Sequence, residues 1–564
     1  IKPMRRRTST LRRIKLASSL KLIRSHMSNI AAETYHYIVV GAGSAGAAVA
    51  HRLSADWSNQ VLLIEAGPTR NFWSAIPIGY AKLVDNPSAN WCYMSEAEES
   101  TGGRRLPVPR GKLLGGSSSI NGLVFVRGQK QDYDTWAQMG NKGWSYQDVL
   151  PFFKKLENYH GGEDKYRGRD GPINVTNPEE RGPLYDAIIE AARQVGIPYN
   201  SDYNGASQDG IAMSQATIAR GRRMSTAHCY LDPIRHRKNL TIVTRALGES
   251  LVIEGKRCTG VRYLIDRTSH LAQATREVVV CAGTINSPKL LELSGIGQPE
   301  FLNTLGIPVH QSLPGVGENL RDHYAPRTRW GINAPKVTYN DRGRGFGLIW
   351  QAMRYAVRRN GMMGIPVAPL RAFVRSRDGL DAPDCLLGWV PMLYEPGYSL
   401  SRENGVTCYA HPMRPESTGT VHATSADPMA SPAINFNFHS ALVDAELTVA
   451  AVNIVRRIMR APAMEPLGVQ ELAPGPELSS DEQILEWVRE MAETTYHPVG
   501  TCKMGSDPLA VVDDRLRVHG LRGLRVADAS IMPTLISGNT NAPSIMIGEK
   551  CAAMILEDTG QKSP

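Results

Sequence analysis

No window of this 564-residue chain comes near 18 uninterrupted apolar residues, about the least that a membrane-spanning helix needs, so no such helix is expected. Cysteine is sparse. The eight present (Cys92, Cys229, Cys258, Cys281, Cys385, Cys408, Cys502, Cys551) form no CxxC pair. Scattered cysteines argue against a disulfide framework and for buried thiols in a reducing compartment. HExxH, EF-hand loops and clustered His/Cys spacings are all missing, so no metal is expected. Evenly spread positive charge is missing too. The formal net charge is +10, but residues 1–40 hold nine Lys and Arg against the single acid Glu33. That segment supplies +8 and leaves +2 for the rest, too little for a nucleic-acid footprint.

The basic leader, residues 1–34, has no acid before Glu33 and contains Ser25-His26-Met27. Such a segment resembles a transit peptide or a basic membrane-surface stretch. The chain begins with Ile1, and Ser25-His26-Met27 reads as a cloning junction or an upstream-extended start. The leader is therefore read as disordered or non-native and set aside from the fold.

What is present is a nucleotide signature. Tyr37-Ile38-Val39-Val40-Gly41-Ala42-Gly43-Ser44-Ala45-Gly46 and then Val61-Leu62-Leu63-Ile64-Glu65 read as strand, glycine turn, helix, strand and acid. Gly41 permits the tight turn, Gly43 lets a phosphate approach the backbone, and Gly46 lets the helix lie close to the strand. A pyrophosphate would sit on the N–H groups at the positive end of the helix dipole. Glu65 is placed to accept both hydroxyls of an adenosine ribose and to repel a 2′-phosphate, which disfavours NADP.

A chain of this length calls for two or more domains, or an interleaved pair. Helical patterns fall near 145–160 and 183–196. Short β runs fall at 240–244, 250–253, 260–264, 277–283 and 524–528. Ser287-Pro288 reads as the capped, proline-initiated start of a helix through Leu293. The small-residue stretch Gly115-Gly116-Ser117 reads either as an anion nest of N–H groups or as the start of a small-residue helix. Residues 325–485 carry few motifs, as a substrate-shaping region would. Because nucleotide-type strands occur at both ends and in the middle, the nucleotide domain is expected to be assembled from several segments.

Seven motifs in order carry a resemblance. They are Gly41–Gly46, Gly111–Asn121, Gly283–Gly297, Pro314–Leu320, His497–Gly505, Asp528–Ser530 and Gly538–Pro543. Together, from residue 36 to about 558, they resemble the glucose–methanol–choline (GMC) flavoprotein oxidoreductases, particularly bacterial choline-, sorbose- and alcohol-dehydrogenase-like members. The resemblance implies an α/β fold, with a Rossmann-like FAD-binding domain interleaved with an α+β substrate (cap) domain on an antiparallel sheet. The FAD-binding domain is expected over 35–160, 215–320 and 490–558, and the cap over 161–214 and 321–489. It also implies oxidation of an alcohol to an aldehyde or ketone by hydride transfer to flavin N5.

Carried over by position, Gly41, Gly43, Gly46 and Glu65 would hold the ADP half. Gly115, Gly116, Ser117 and Asn121 would line the isoalloxazine, and Asp528 and Ala529 would meet the pyrophosphate and ribityl chain. Ser44, Ala66, Arg110, Gly122, Ala246, Ala282, Gly283 and Asn541 complete the expected cofactor contacts. Some members link FAD through a histidine near the Ser117–Asn121 stretch. Here that stretch is Ser-Ser-Ser-Ile-Asn, so FAD is expected to be non-covalent.

Removing hydride from an alcohol requires that the hydroxyl proton leave as well. A neutral imidazole with a pKa near 6.5 suits that task. His497, between Tyr496 and Pro498 in the motif, is the expected base, and Asn539 the amide that orients the substrate oxygen. His323 reads equally as a domain-junction residue or a cofactor contact. His411 and His439 lie in the cap, and His228 has no motif around it. Arg220, Arg222 and Arg223 are expected on the solvated surface, as are Glu179 and Glu180. The substrate is expected to be a small alcohol, and the electron acceptor a quinone, an artificial dye or O2. A cytoplasmic location, free or peripheral at a membrane surface, is expected. The alternatives are an O2-using alcohol oxidase, a hydroxynitrile lyase and a light-driven fatty-acid decarboxylase.

Overall fold

The computed structural model describes residues 33–177, 181–395 and 399–561. Residues 1–32, nearly all of the leader, lie outside the described residues, as do Glu179 and Glu180.

The chain passes back and forth between two sheets. It opens with β1 (Glu33–Val40), helix α1 (Ser44–Leu53) and β2 (Val61–Glu65) in the first sheet, then gives β3 (Gly210–Met213) to the second. It returns to the first for β4 (Leu240–Thr244), β5 (Ala246–Glu254), β6 (Arg257–Ile265) and β7 (Thr268–Val280), followed by α2 (Gly283–Leu293). The second sheet then takes β8 (Arg327–Ile332), β9 (Leu370–Val374), β10 (Cys385–Val390), β11 (Gly405–Pro412) and β12 (Val469–Ala473). Helices α3 (Gly345–Arg358) and α4 (Leu442–Met459) fall between these strands. Finally β13 (Leu524–Val526) and α5 (Asn541–Asp558) return to the first sheet.

The seven-stranded first sheet has the order β4-β2-β1-β7-β6-β5, with β13 also on β7. Strands β4, β2, β1, β7 and β13 pair in parallel, while β5, β6 and β7 form an antiparallel meander. Parallel strands are covered on both faces, which is why Val61–Ile64 and Tyr37–Val40 are unbroken apolar runs that are almost wholly buried. Each such side chain contributes roughly 1.5–3 kcal/mol of burial. The six-stranded second sheet, β12-β8-β11-β10-β9-β3, is antiparallel throughout. Each sheet has its own core: Val39, Leu63 and Val279 belong to one, and Trp330, Leu370 and Trp389 to the other.

Helix α5 closes the first layer by lying directly on α1. A Cβ on Gly548 would come within 2.4 Å of Ala45 O, and Arg52 meets Glu549 at 2.7 Å beside them. The strands expected from the sequence are present; β5, β6 and β7 reach beyond the runs that suggested them, β4 matches its run, and β13 ends two residues short, at Val526. The helix expected from Ser287 begins four residues earlier, at Gly283, so Pro288 sits inside it. Proline cannot donate to the carbonyl one turn back, Thr284 O, and the Thr501 hydroxyl donates to that carbonyl instead, at 2.6 Å. Ser287 is no cap; its hydroxyl donates to Asp528 at 2.6 Å.

Candidate active site

One long cavity runs across the carboxyl ends of the parallel strands and ends against the second sheet. Its walls take Gly41 after β1, Glu65 and Ala66 at the end of β2, Ala246 after β4, Ala282 and Gly283 after β7, and Asp528 and Ala529 after β13. A crevice at the carboxyl ends of an open parallel sheet is where such folds hold ligands. Arg327, Val390 and Tyr409, from three strands of the second sheet, wall the far end together with Met392 and Tyr394.

At the β1–α1 turn, Gly41 has φ +103°, and a Cβ there would fall 2.4 Å from Cys281 O. No side chain caps α1, so its first-turn N–H groups are left to the cavity, which Gly43, Ser44 and Ala45 line. The Ser44 hydroxyl donates to Asn541 Oδ1 at 2.8 Å. Glu65 accepts from Ala42 N at 3.1 Å and Gly67 N at 2.9 Å. Burial pushes its carboxyl up to about 7 despite those two donors. Asp528 accepts from Gly283 N at 2.8 Å and Ser530 N at 2.8 Å, tying the ends of β7 and β13 together.

Two cofactor expectations fail in detail. Gly46 and Gly115 do not line the cavity. Gly46 is a packing residue, where a Cβ would sit 1.9 Å from Gly41 O. Nor is Gly115–Ser117 an anion nest. Gly115 N donates to Ala42 O and Gly116 N to Leu113 O, both at 2.8 Å, so those donors are already used in a short 3₁₀ turn over Gly116–Ser119. Gly116 does bring backbone close to backbone, since a Cβ there would lie 2.7 Å from Gly43 Cα. Gly116, Ser117, Asn121, Gly122 and Arg110 line the cavity as expected. Arg223, expected on the surface with Arg220 and Arg222, is buried; it donates to Asn121 Oδ1 at 2.6 Å and fixes that amide.

His497 and Asn539 meet at the far end. Asn539 Nδ2 lies 2.8 Å from His497 Nε2, and Asn539 Oδ1 accepts from the buried Arg371 at 3.0 Å. On its other side His497 Nδ1 faces His323 Nδ1 at 3.0 Å and Thr495 Oγ1 at 2.9 Å. His323 Nε2 is 2.7 Å from Met413 O. Asp322 accepts from the backbone N–H groups of both His323, at 2.7 Å, and His497, at 2.8 Å, which sets the two rings opposite each other. Burial drives His497 well below 6.5, with His411, Arg110 and Arg371 acting in the same direction. The expectation of a near-unperturbed imidazole is therefore corrected. His323 is likewise held well below its ordinary value, by burial and by the two neighbouring histidines.

Of the two readings left open for His323, the structure places it at a junction, between His497 and Met413 O just past β11, and not on the cavity wall. Asp322, Arg371 and Thr495 were not singled out from the sequence. The motif Leu320–His323 held the only local signal, and Arg371 in β9 carried none. His411 stacks on His323 with ring centroids 4.3 Å apart and does not line the cavity. His439 contacts Thr448 Oγ1 at 3.2 Å, also away from it.

The residues present fit an FAD. A buried carboxylate at the end of β2, an uncapped helix start, glycine backbone at Gly43 and Gly116, and the Ser117–Gly122 wall follow one another along the cavity to His497.

Comparison with known proteins agrees. Two family models described as GMC oxidoreductase match residues 35–325 and 415–548. The oxygen-dependent choline dehydrogenase of Sinorhizobium fredii is 42% identical over 527 residues, covering 92% of this chain and 95% of that protein. The enzyme of the same name from Photobacterium profundum is 39% identical over 536 residues, covering 93% and 94%. Among solved structures, pyridoxine 4-oxidase from Mesorbium loti superposes with a TM-score of 0.84 at 29% identity, covering 92% of this chain and 98% of that one. Aspergillus oryzae formate oxidase superposes with a TM-score of 0.88 at 27% identity, covering 94% and 99%. Matched over both lobes and along more than nine-tenths of its length, the chain belongs to the GMC oxidoreductases, FAD-dependent flavoproteins that oxidise CH–OH groups.

Proposed function

We propose that His497 Nε2 is the base that takes the hydroxyl proton of an uncharged alcohol, with Asn539 beside it as the hydrogen-bond donor. When bound, FAD supplies the hydride acceptor. The observation that carries this reading is the contact of His497 Nε2 with Asn539 Nδ2 at 2.8 Å on the cavity wall. Met413 O can only accept, so the proton of a neutral His323 is on Nε2 and its Nδ1 is an acceptor. His497 must then carry its proton on Nδ1, which leaves the Nε2 lone pair to accept from Asn539 Nδ2 at the cavity wall. Arg371 holds the Asn539 oxygen, so the amide presents N–H to that side. A hydroxyl that enters between His497 and Asn539 replaces their contact: the alcohol O–H donates to His497 Nε2 and its oxygen accepts from Asn539 Nδ2. The same network keeps the imidazole neutral and ready at ordinary pH.

The chamber walls favour an uncharged substrate. Among the described residues lining the cavity, the carboxylates are Glu65 and Asp528, both engaged at the nucleotide end. Around the far end stand Val367, Val390, Met392 and Tyr409, with Arg327 next to Tyr409 across the β8–β11 pair. A quaternary ammonium, the substrate named for the two bacterial relatives, would find the rings of Tyr394 and Tyr409 there but no lining carboxylate. Arg327 is itself paired with Glu493 at 2.8 Å, which leaves the wall near neutral and suits an alcohol with an apolar body.

We further place FAD non-covalently, because no histidine stands among Ser117–Asn121. We divide the chain into a nucleotide lobe on the first sheet and a substrate lobe on the second, and assign the protein, with its eight free thiols, to a reducing compartment. The test is anaerobic flavin bleaching by a panel of alcohols. Alkanols and aryl alcohols should bleach the flavin faster than choline; bleaching by choline alone would overturn the substrate reading. Admitting air afterwards separates O2 from a quinone or dye as acceptor.

A further inference from the structure

Helix α3 is built inside out. Its exposed residues Phe346, Ile349, Trp350, Met353 and Val357 recur at the spacing of one helical face. Phe346 is 92% exposed, Val357 82% and Trp350 61%, so these are not the edges of a core. The inward face is the more polar one. Gln351 and Tyr355 are buried, and the Tyr355 hydroxyl donates to Gly221 O at 2.7 Å, which fixes the rotation of the helix.

The stripe has company. Phe72, 74% exposed, shares one surface depression with Tyr355 and Arg359. Basic charge predominates beside it. α3 contains no acidic residue, and Arg358, Arg359, Arg220 and Arg222 are all exposed beside it. A single apolar patch of this size on a soluble surface marks an interaction site. An apolar stripe bearing Trp and Phe and flanked by arginines fits the interfacial zone of a bilayer, where rings enter the acyl boundary and guanidinium groups meet lipid phosphates.

We propose that α3, with Phe72, docks this protein on the surface of an anionic lipid bilayer. The apolar face supplies insertion, and the arginine rim supplies the preference for negatively charged headgroups. The docked face adjoins the cavity. Just past α3, Met362 and Ile365 pack with Ile78 and Met392, and Met392 lines the substrate wall. Docking thus sets the apolar end of the cavity beside the phase in which apolar alcohols concentrate.

The test is flotation of the full, flavin-loaded chain with vesicles containing phosphatidylglycerol and with vesicles of phosphatidylcholine alone. Wild type should float with the anionic vesicles and be released by added salt. The Phe346→Ser/Trp350→Ser/Val357→Ser variant should lose about tenfold or more of that binding, yet keep wild-type flavin content and turnover of a soluble alcohol. Arg358→Glu/Arg222→Glu, which leaves the apolar face intact, should lose the preference for anionic vesicles. Unchanged flotation of the triple variant would overturn the proposal, as would loss of flotation on deleting residues 1–32 alone, because the leader would then be the anchor. A wild type that ignores vesicles but forms a dimer broken by the triple variant would overturn it too, by making this face a contact between copies.

Discussion

His323 and His497 face each other through their Nδ1 atoms at 3.0 Å, and with His323 Nε2 committed to Met413 O the shared proton belongs to His497. One backbone carbonyl, two rings away, thereby decides which nitrogen of His497 keeps its lone pair toward Asn539.

His497→Ala should retain FAD and slow flavin reduction by about 10²–10⁴-fold, the usual cost of removing a general base. Because burial and the nearby His411, Arg110 and Arg371 hold His497 well below 6.5, the wild-type rate should be level across pH 6–8, roughly the span around an unperturbed histidine. It should fall only in acid, as the imidazole gains its proton. Stopped-flow reduction with one alcohol checks both; a mutant as fast as wild type would remove His497 from the chemistry.

His323→Leu should also slow flavin reduction, through a lost hydrogen bond of about 1–3 kcal/mol and a freed tautomer at His497. His323 contributes by position, so the sharper readout is the pH profile. With Thr495 Oγ1 the one acceptor left of the two at Nδ1, the acid limb should move. His323→Asn, which keeps a carbonyl oxygen near the Nδ1 position, should restore part of the rate. A purely structural role would leave the profile unmoved in both variants.

Glu65→Gln should weaken FAD binding by about 1.5–3 kcal/mol while the fold persists, since a charge-assisted acceptor is replaced by a neutral amide. The carboxyl is held at about 7, so wild-type affinity should rise with pH through that value as the carboxylate forms. The mutant should show no such rise. Flavin occupancy on dilution at several pH values is the measurement.

His422, on a short strand paired with Ala433–Asn435, reaches Glu292 of α2 at 2.6 Å and Glu318 at 3.2 Å, and Ala423 N also donates to Glu292 at 2.7 Å. Burial opposes a charge on the imidazole, but the two carboxylates prevail and lift it to about 9. Burial also raises Glu292, against the lowering effect of His422 and of the Ala423 N–H. The folded value exceeds the unfolded one of about 6.5. The stabilisation is therefore complete below about 6.5 and lost as pH rises through about 9, up to about 3 kcal/mol. Denaturant unfolding of wild type and His422→Gln should show a gap that closes over that window. A constant gap would mean the contact is not ionic.

Local chemistry made the nucleotide lobe readable. Gly41, Gly43, Gly46 and Glu65 act within one strand-turn-helix-strand unit, so their roles follow from spacing, and the parallel strands announce themselves as unbroken apolar runs. The ordered motifs likewise pointed to His497 and Asn539 as neighbours. The start of α2 was misread because the partner that tolerates Pro288 inside the helix, the Thr501 hydroxyl, is more than two hundred residues away in sequence. Arg223 was placed outside because three arginines within four residues look solvated, whereas the fold turns one of them inward onto Asn121.

The sequence by itself determined the fold class and, through its ordered motifs, pointed to the flavin cradle and to His497 as the proposed base, because each rests on residue types in short, ordered segments. Tertiary structure alone decided the protonation of that base and the company it keeps. Asp322, His323, Arg371 and Met413 reach His497 and Asn539 from separate strands and loops, and a proton's place on an imidazole is set by whichever acceptor faces it in space. The outward apolar face of α3 was decided the same way. An amphipathic helix shows its stripe in sequence, but only packing, here the Tyr355 hydroxyl on Gly221 O, fixes which side faces out.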